Sequence, residues 1–152
     1  MLLKRLCRDL LLSNPEPDNL HIIPTARDPT DGLALSSRNA YLTADGRKVA
    51  ATLRQALQAA EAAWLSGLPK TECIAKATAL VEGRNIQAKS DGLDVNMQLD
   101  YLEMNDASTF EVLEPQIRKD DVELVILSGA LNVGKTRLID NILLGNTEKI
   151  LG

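Results

Sequence analysis

The sequence predicts an α/β chain: the end of an α/β layered domain, followed by an α+β lobe in which two helices pack on a small sheet. A helix-like stretch, a turn and a short apolar segment follow one another at the start of the chain. Two long stretches with helical spacing come next, and three strand-like segments lie beyond them. This order indicates residues 1–42 as the remnant of the first domain and residues 43–152 as the second lobe.

The amino-acid composition indicates a globular protein. The chain has 152 residues, of which 45% are apolar, 25% charged and only 3% aromatic. This is the balance of a globular protein whose core is built from Leu, Ile, Val and Ala. The net charge of −4 gives no basic surface of the kind that nucleic-acid binding needs. We therefore expect no nucleic-acid partner.

The first segments predict helix, turn and strand. Leucines recur at three- and four-residue steps over residues 2–10, and turn formers fill residues 13–19. Residues 20–24 are short and apolar, as in a buried strand, and contain the single histidine, His21, to which we assign a structural role. Charged residues interrupt the leucines, so we expect neither a signal peptide nor a membrane span. The predicted compartment is the cytoplasm, where the two cysteines, Cys7 and Cys73, would be reduced.

Two helices are predicted next. Thr43 can cap a helix that runs to about Ser66, where Gly67 and Pro69 stop it. Its inward face carries Val49, Leu53, Leu57, Ala60 and Trp64. A second helix begins near Thr71 and precedes Gly83, and Asp91-Gly92 marks a loop. Its inward residues are Ile74, Ala77 and Val81.

Three strands complete the prediction. They span Leu99–Met104, Val122–Leu127 and, more weakly, residues 136–142, which could also form a helix. Asp120-Asp121 is typical of a solvated turn before a strand. Glu103 and Asp106 suggest an acid/base pair, but no partner base accompanies them, so a structural role is favoured.

The most informative stretch is Asp31–Leu42, because Ser36, Ser37 and Arg38 follow one another on a turn just past a predicted strand. Crevices outside the carboxyl ends of strands are where α/β sheets bind ligands. Hydroxyl groups can hold phosphate oxygens, and a guanidinium can donate to two of them at once. As composition alone, this pattern is weak and favours a capping or turn role.

The complete string resembles the signature loop of the pantothenate synthetases. It reads Pro24-Thr25-Ala26-Arg27 and then Asp31-Gly32-Leu33-Ala34-Leu35-Ser36-Ser37-Arg38-Asn39-Ala40-Tyr41-Leu42. Tyr101-Leu102-Glu103 and Lys135-Thr136-Arg137-Leu138-Ile139-Asp140-Asn141-Ile142 are similar to the family's C-terminal landmarks. The resemblance covers residues 4–142, and three ordered motifs are far more specific than one.

The resemblance implies a carbon–nitrogen ligase of pantothenate biosynthesis, on the route to coenzyme A. Such enzymes use ATP and Mg²⁺ to adenylate pantoate, and β-alanine then displaces AMP. The first domain would be the end of a Rossmann-like nucleotidyl-transferase domain. Ser36 and Ser37 would hydrogen-bond phosphate, and Arg38 would neutralise charge on the leaving pyrophosphate. Ala26 would contact adenine through its backbone, and Leu35 would lie at the edge of the nucleotide. No metal ligand is assigned.

The chain departs from the family pattern in two ways. Asp28-Pro29-Thr30 is one residue longer than the usual spacing before Asp31-Gly32. The family's His-x-Gly-His motif, its Gly-x-Lys-Asp segment and its pantoate-binding Gln have no counterpart in the sequence. We therefore expect the C-terminal half of such an enzyme, inactive alone, and we expect the homodimer contacts of full-length members in the missing half. The alternative is a non-catalytic fragment that acts as a binding or interaction module.

One motif suggests a different function. Gly129–Thr136 matches the Walker A pattern G-x-x-x-x-G-K-[ST] and follows a strand-like run. A phosphate-binding loop of this kind needs a following helix and a downstream Mg²⁺-binding Asp on a further strand, for which few residues remain. We therefore expect these residues to be structural. A small P-loop NTPase, the rejected alternative, would depend on Lys135 and not on Arg38.

Overall fold

The computed structural model describes residues 23–146. The helices are α1 (Ala44–Val49), α2 (Thr52–Leu65) and α3 (Lys70–Ser90), and the strands are β1 (Met97–Asp106), β2 (Leu124–Val133) and β3 (Thr136–Gly145). Two 3-10 helices span Ser37–Tyr41 and Lys119–Asp121. The predicted N-terminal helix, Cys7 and His21 lie outside the described residues. So does most of the predicted strand at 20–24, of which Ile23 and Pro24 have no regular secondary structure.

The first predicted helix is present but interrupted. The Thr43 hydroxyl caps α1 by accepting the Gly46 N–H at 3.0 Å. At Ala50 and Ala51 the chain tightens into a turn that keeps right-handed helical dihedrals, and it then continues as α2. Gly67, with a φ of 88°, ends this helix as predicted, because glycine has no Cβ and adopts the left-handed conformation at a helix end without a steric penalty.

The second helix is longer than predicted. It begins at Lys70 after Pro69 and passes through Gly83 to Ser90, where Asp91 and Gly92 end it. A glycine inside a helix costs only about 1 kcal/mol relative to alanine. Buried residues on both sides of Gly83, Val81 and Ala88, pack into the core and outweigh that cost.

The three strands form an antiparallel sheet in the order β1-β2-β3. Residues 136–142, which the sequence left open between helix and strand, belong to β3. Gly134 and Lys135 form the two-residue turn between β2 and β3, with Val133 paired to Thr136. The φ of 57° at Gly134 suits the first position of such a turn. The residues that match the Walker A pattern therefore form a β-hairpin and not a phosphate-binding loop. This agrees with the structural role predicted for them.

The core lies between one face of the sheet and the helices α2 and α3. Trp64 is buried there, as predicted. Gly129 allows the closest approach: a Cβ at this position would lie 2.7 Å from Leu102 Cδ2 and 3.1 Å from Leu53 Cδ1. Cys73 is a free, fully buried thiol, and burial raises its pKa. A free thiol at this position agrees with the reduced cysteine that the sequence predicts.

Candidate functional site

The residues of the predicted signature loop form a compact hairpin-like loop. Arg27 and Ala34 form an isolated antiparallel bridge, and the Leu35 N–H donates to the Ala26 carbonyl at 2.9 Å. The Asp28 N–H donates to the Leu33 carbonyl at 2.8 Å. The longer spacing at 28–30 is absorbed in a turn at the tip, away from the bridge. The loop therefore delivers residues 35–38 to a defined place.

The acidic tip of this loop is held by α1. Arg47 donates to Asp28 Oδ2 at 2.8 Å and also bonds to Asp31. The hydrogen bond from Arg47 lowers the pKa of the Asp31 carboxyl, although partial burial opposes this change. Asp31 Oδ1 also accepts the Leu33 N–H at 3.0 Å. One guanidinium thus bridges both carboxylates of the tip and offsets one of their two negative charges.

A second ion pair fastens the loop to the sheet. Arg27 donates through Nη1 and Nη2 to the two carboxylate oxygens of Asp140, at 2.7 and 2.9 Å. The Asp140 side chain is only 7% exposed, and the hydrogen bonds raise the pKa of Arg27. Arg27 also donates to the Gly32 carbonyl at 3.2 Å. The loop and β3, 113 positions apart in sequence, therefore form one unit.

The Ser-Ser-Arg stretch opens the first 3-10 helix. Ser36 is its N-cap, and its Oγ accepts the Arg38 N–H at 3.2 Å. The Asn39 side-chain amide donates to the Ala34 carbonyl at 2.9 Å and ties the helix back to the loop. Ser36, Ser37 and Arg38 are exposed. Among residues 23–146, the Arg38 guanidinium has neither an ion-pair partner nor a hydrogen-bond partner.

An open cleft of about 510 Å³ lies beside this helix. Its walls come from the loop and the 3-10 helix, from the start of α2, and from the sheet. The polar or aromatic residues of the lining are Thr25, Ser36, Arg38, Asn39, Arg54, Tyr101, Ser128, Arg137, Asp140 and Asn141. A concave site with a few convergent polar groups is the usual form of a ligand site.

The cleft has an excess of positive charge. Asp140 is neutralised by Arg27, and Arg137 is paired with Asp100 at 2.8 Å and lies 6.0 Å from the centre of the Tyr101 ring. Arg38 and Arg54 remain without counter-ions in the described part of the chain. Two uncompensated guanidinium groups that line one cleft can bind an anion, and both can donate forked hydrogen bonds to phosphate oxygens.

The structure brings only some of the predicted site residues into the cleft. Leu35, Ser36 and Arg38 line it, whereas Ala26 and Ser37 are exposed outside its lining. The Ala26 carbonyl already accepts the Leu35 N–H. Sequence reasoning missed Arg54, since an arginine on an amphipathic helix carries no motif. Arg137 and Asp140 belong to the C-terminal landmark at residues 135–142. This motif was the only feature of the sequence that pointed to them.

The remaining candidates have structural roles. Asp106 accepts the N–H groups of Ser108 and Thr109 at 2.7 and 2.9 Å, and its bond from the Ser108 hydroxyl lowers its pKa. It caps a turn after β1 and is not poised as an acid. Asp120 and Asp121 lie on the exposed second 3-10 helix before β2, in line with the predicted solvated turn.

Residues 23–146 contain neither a cluster of metal-ligating side chains nor a membrane-spanning helix. No group of three or more His, Cys, Asp or Glu side chains is placed to hold a metal ion. No helix in the same range combines the length and the apolar character that a membrane crossing requires.

Comparisons with known proteins agree with these features. Residues 1–143 match the family model described as pantoate-beta-alanine ligase. The chain is 33% identical over 144 residues to the pantothenate synthetase of Herpetosiphon aurantiacus, which covers 95% of this chain and 46% of that protein. It is 38% identical over 143 residues to the pantothenate synthetase of Thermotoga neapolitana, covering 94% and 44%.

A solved structure, the pantothenate synthetase of Thermus thermophilus, superposes with a TM-score of 0.68 at 28% identity, covering 91% of this chain and 43% of that one. The chain thus spans less than half the length of these relatives.

Proposed function

The chain belongs to the pantoate–β-alanine ligase family, and from this premise we propose that it supplies the phosphate-binding part of an ATP-dependent synthesis of pantothenate. A carboxylate oxygen of pantoate attacks the α-phosphorus of ATP, and pyrophosphate leaves. The amine of β-alanine then attacks the acyl carbon of the pantoyl-adenylate, loses a proton and displaces AMP. The products are pantothenate, AMP and pyrophosphate.

The observation that supports this role is that Ser36 and Arg38, whose guanidinium has no partner among residues 23–146, line the same open cleft. Arg38 would stabilise the charge that develops on the departing pyrophosphate. Ser36 and Ser37 would donate hydroxyl protons to phosphate oxygens. Preorganised donors of this kind can lower a barrier by roughly 3–4 kcal/mol each. Leu35, at the rim of the same cleft, would contact the edge of the nucleotide, and the Ala26 backbone would contact adenine.

Mg²⁺ is proposed as the companion of ATP. This ion commonly reaches a site on the phosphates of its nucleotide and keeps several waters, so it needs few protein ligands. Among the described residues that line the cleft, Asp140 carries the one carboxylate that could bind Mg²⁺, and it is already ion-paired with Arg27. The phosphates themselves would therefore hold the ion, and its charge would offset theirs during transfer.

The organisation of the chain is proposed on the same basis. Residues 1–42 would be the end of a Rossmann-like nucleotidyl-transferase domain, and residues 43–152 a lobe that covers the nucleotide. The Thr43 cap, which starts the helices of the second lobe, supports a boundary at this point. We propose a cytoplasmic enzyme that is a homodimer at full length and has no nucleic-acid or membrane partner.

Calorimetric titration with Mg-ATP tests the proposed phosphate site. We expect weak binding to the 152-residue chain and a loss of on the order of tenfold or more in affinity for Arg38→Ala, because hydrogen bonds to charged groups contribute about 1.5–3 kcal/mol each. Lys135→Ala is the matched control, since Lys135 lies in the exposed β2–β3 turn. Binding that depends on Lys135 and not on Arg38 would contradict the proposed site.

A coupled assay tests whether this chain completes the reaction. With ATP, pantoate and β-alanine we expect no turnover from the purified chain, because the family's His-x-Gly-His motif, Gly-x-Lys-Asp segment and pantoate-binding Gln have no counterpart in its sequence. AMP formation above background would contradict this expectation. Binding of ATP without turnover would support the proposal that this chain supplies the phosphate-binding part of the enzyme and that catalysis needs further residues. A folded chain that binds no ATP fits the alternative, a non-catalytic module.

A further inference from the structure

We propose that Arg54 is a second anchor for the phosphate chain, so that the anion is held from α2 as well as from the Ser-Ser-Arg turn. This inference rests on the proposed function and adds a residue that the sequence motifs do not contain. Arg54 lines the same cleft as Ser36 and Arg38, and it lies on a different element.

The backbone of Arg54 is positioned by the packing of its neighbour, Leu53. Leu53 is buried at 2% exposure, and it packs where Gly129 leaves room on the sheet. Because α2 is held at this contact, the next residue along the helix lies where its side chain can line the cleft. Arg54 itself is half-buried. Because the arginine fork is planar and preorganised, less side-chain freedom is lost for each hydrogen bond formed with an anion.

The pairing of the surrounding arginines singles out Arg54. Arg27 is bound to Asp140, Arg47 to Asp28 and Asp31, and Arg137 to Asp100. In the part of the chain that the structure describes, Arg54 has no hydrogen-bond or ion-pair partner. A half-buried charge without a partner is unfavourable, and a bound anion would remove this cost.

The arrangement favours an anion with more than one charged group. Arg38 belongs to the 3-10 helix and Arg54 to α2, so the two guanidinium groups reach the cleft from different elements. Each can donate a forked pair of hydrogen bonds to its own phosphate group. Pyrophosphate, or the β- and γ-phosphates of ATP, offers separate groups to each. The net positive charge of two, left after Asp140 and Arg137 are paired, complements such a polyphosphate.

Inorganic pyrophosphate, titrated calorimetrically at low salt, is the probe for this site. We expect the full chain to bind it more tightly than inorganic phosphate. Arg54→Gln and Arg38→Gln should each weaken pyrophosphate binding by on the order of 10- to 100-fold. Arg54→Lys should retain part of the affinity, because the charge remains but the fork is lost. Arg84→Gln, an exposed position on α3 outside this cleft, is the matched control and should change nothing.

The outcomes separate the inference from the proposed function. Loss of pyrophosphate binding in Arg38→Gln with unchanged binding in Arg54→Gln would overturn the role of Arg54 and leave the Ser-Ser-Arg site intact. No pyrophosphate binding by the unaltered, folded chain would overturn both. Equal weakening by Arg54→Gln and Arg84→Gln would mean a general charge effect, and it would also overturn the inference. Thermal unfolding of each variant excludes a folding defect as the cause.

Discussion

At the scale of single residues, Gly129 shows how packing and motif can be confused. In the sequence it is the first glycine of a Walker A pattern, which indicates an amide cradle for phosphate. In the structure it lies in the middle of β2 and faces α2. Its lack of a side chain leaves room for Leu53 and Leu102, so the reason for glycine at this position is close approach and not ligand binding.

Gly129→Ala is expected to destabilise the protein by about 1–3 kcal/mol, because the added methyl group meets Leu102 at 2.7 Å and the Tyr101 carbonyl at 3.2 Å. Gly83→Ala is the matched control. Gly83 lies inside α3 with no atom within 4 Å of the added Cβ, so the same substitution should stabilise by up to about 1 kcal/mol. Urea denaturation of the two variants measures both signs, and a stabilising Gly129→Ala would contradict the packing described.

At the scale of elements, the acidic loop tip depends on α1. Asp31 accepts from Arg47 and from the Leu33 N–H, and the Arg47 bond lowers its pKa. A carboxyl whose folded pKa is depressed stabilises the fold above its unfolded pKa of about 3.9, and this contribution is lost as the pH falls through the lower, folded value. The contribution is small, since the pair is close to solvent.

We therefore predict that the Leu33 amide chemical shift, followed by NMR as the pH is lowered, changes with a midpoint below the ordinary aspartate value. In Arg47→Gln the midpoint should rise towards the ordinary aspartate value, because the guanidinium that favours the ionised carboxyl is gone. The Ser108 amide, which reports on Asp106, should keep its midpoint in the same variant. An unchanged Leu33 midpoint in Arg47→Gln would show that Arg47 does not hold the loop tip.

The elements themselves were predictable where local signals agree. Thr43, Gly67 and Pro69 mark helix ends that the structure confirms. The end of α3 was missed because Gly83 is a weak local signal that buried residues on both sides override. The type of β3 stayed open because its period is broken: Ile139 is apolar but exposed, while Asp140 lies nearly buried on the core face. The pairing with β2 explains why both residues lie in a strand, and the hydrogen bonds from Arg27 explain how a carboxylate is tolerated on the core face.

At the scale of the whole molecule, the cleft exists because distant segments meet. The motif order was sufficient to predict the family, which the comparisons confirm. It was not sufficient to place Arg54 in the same cleft as Arg38, since that placement depends on how α2 lies on the sheet. Nor could it reveal that Arg27, a residue of the signature, binds Asp140, a residue of the C-terminal landmark. Both residues belonged to recognised motifs, and their meeting is a property of the fold.

The Arg27–Asp140 pair yields the last prediction. Each single variant, Arg27→Gln or Asp140→Asn, should destabilise the protein by about 1.5–3 kcal/mol, since each leaves a poorly solvated charged group without its partner. The double variant removes both charges and should cost less than the sum of the two, with a coupling energy of roughly 0.5–3 kcal/mol. Chemical denaturation of all four proteins gives this cycle. Strict additivity would mean that the loop and β3 are stabilised independently, and the signature loop would then owe its position to the Arg47 contacts and the 3-10 helix alone.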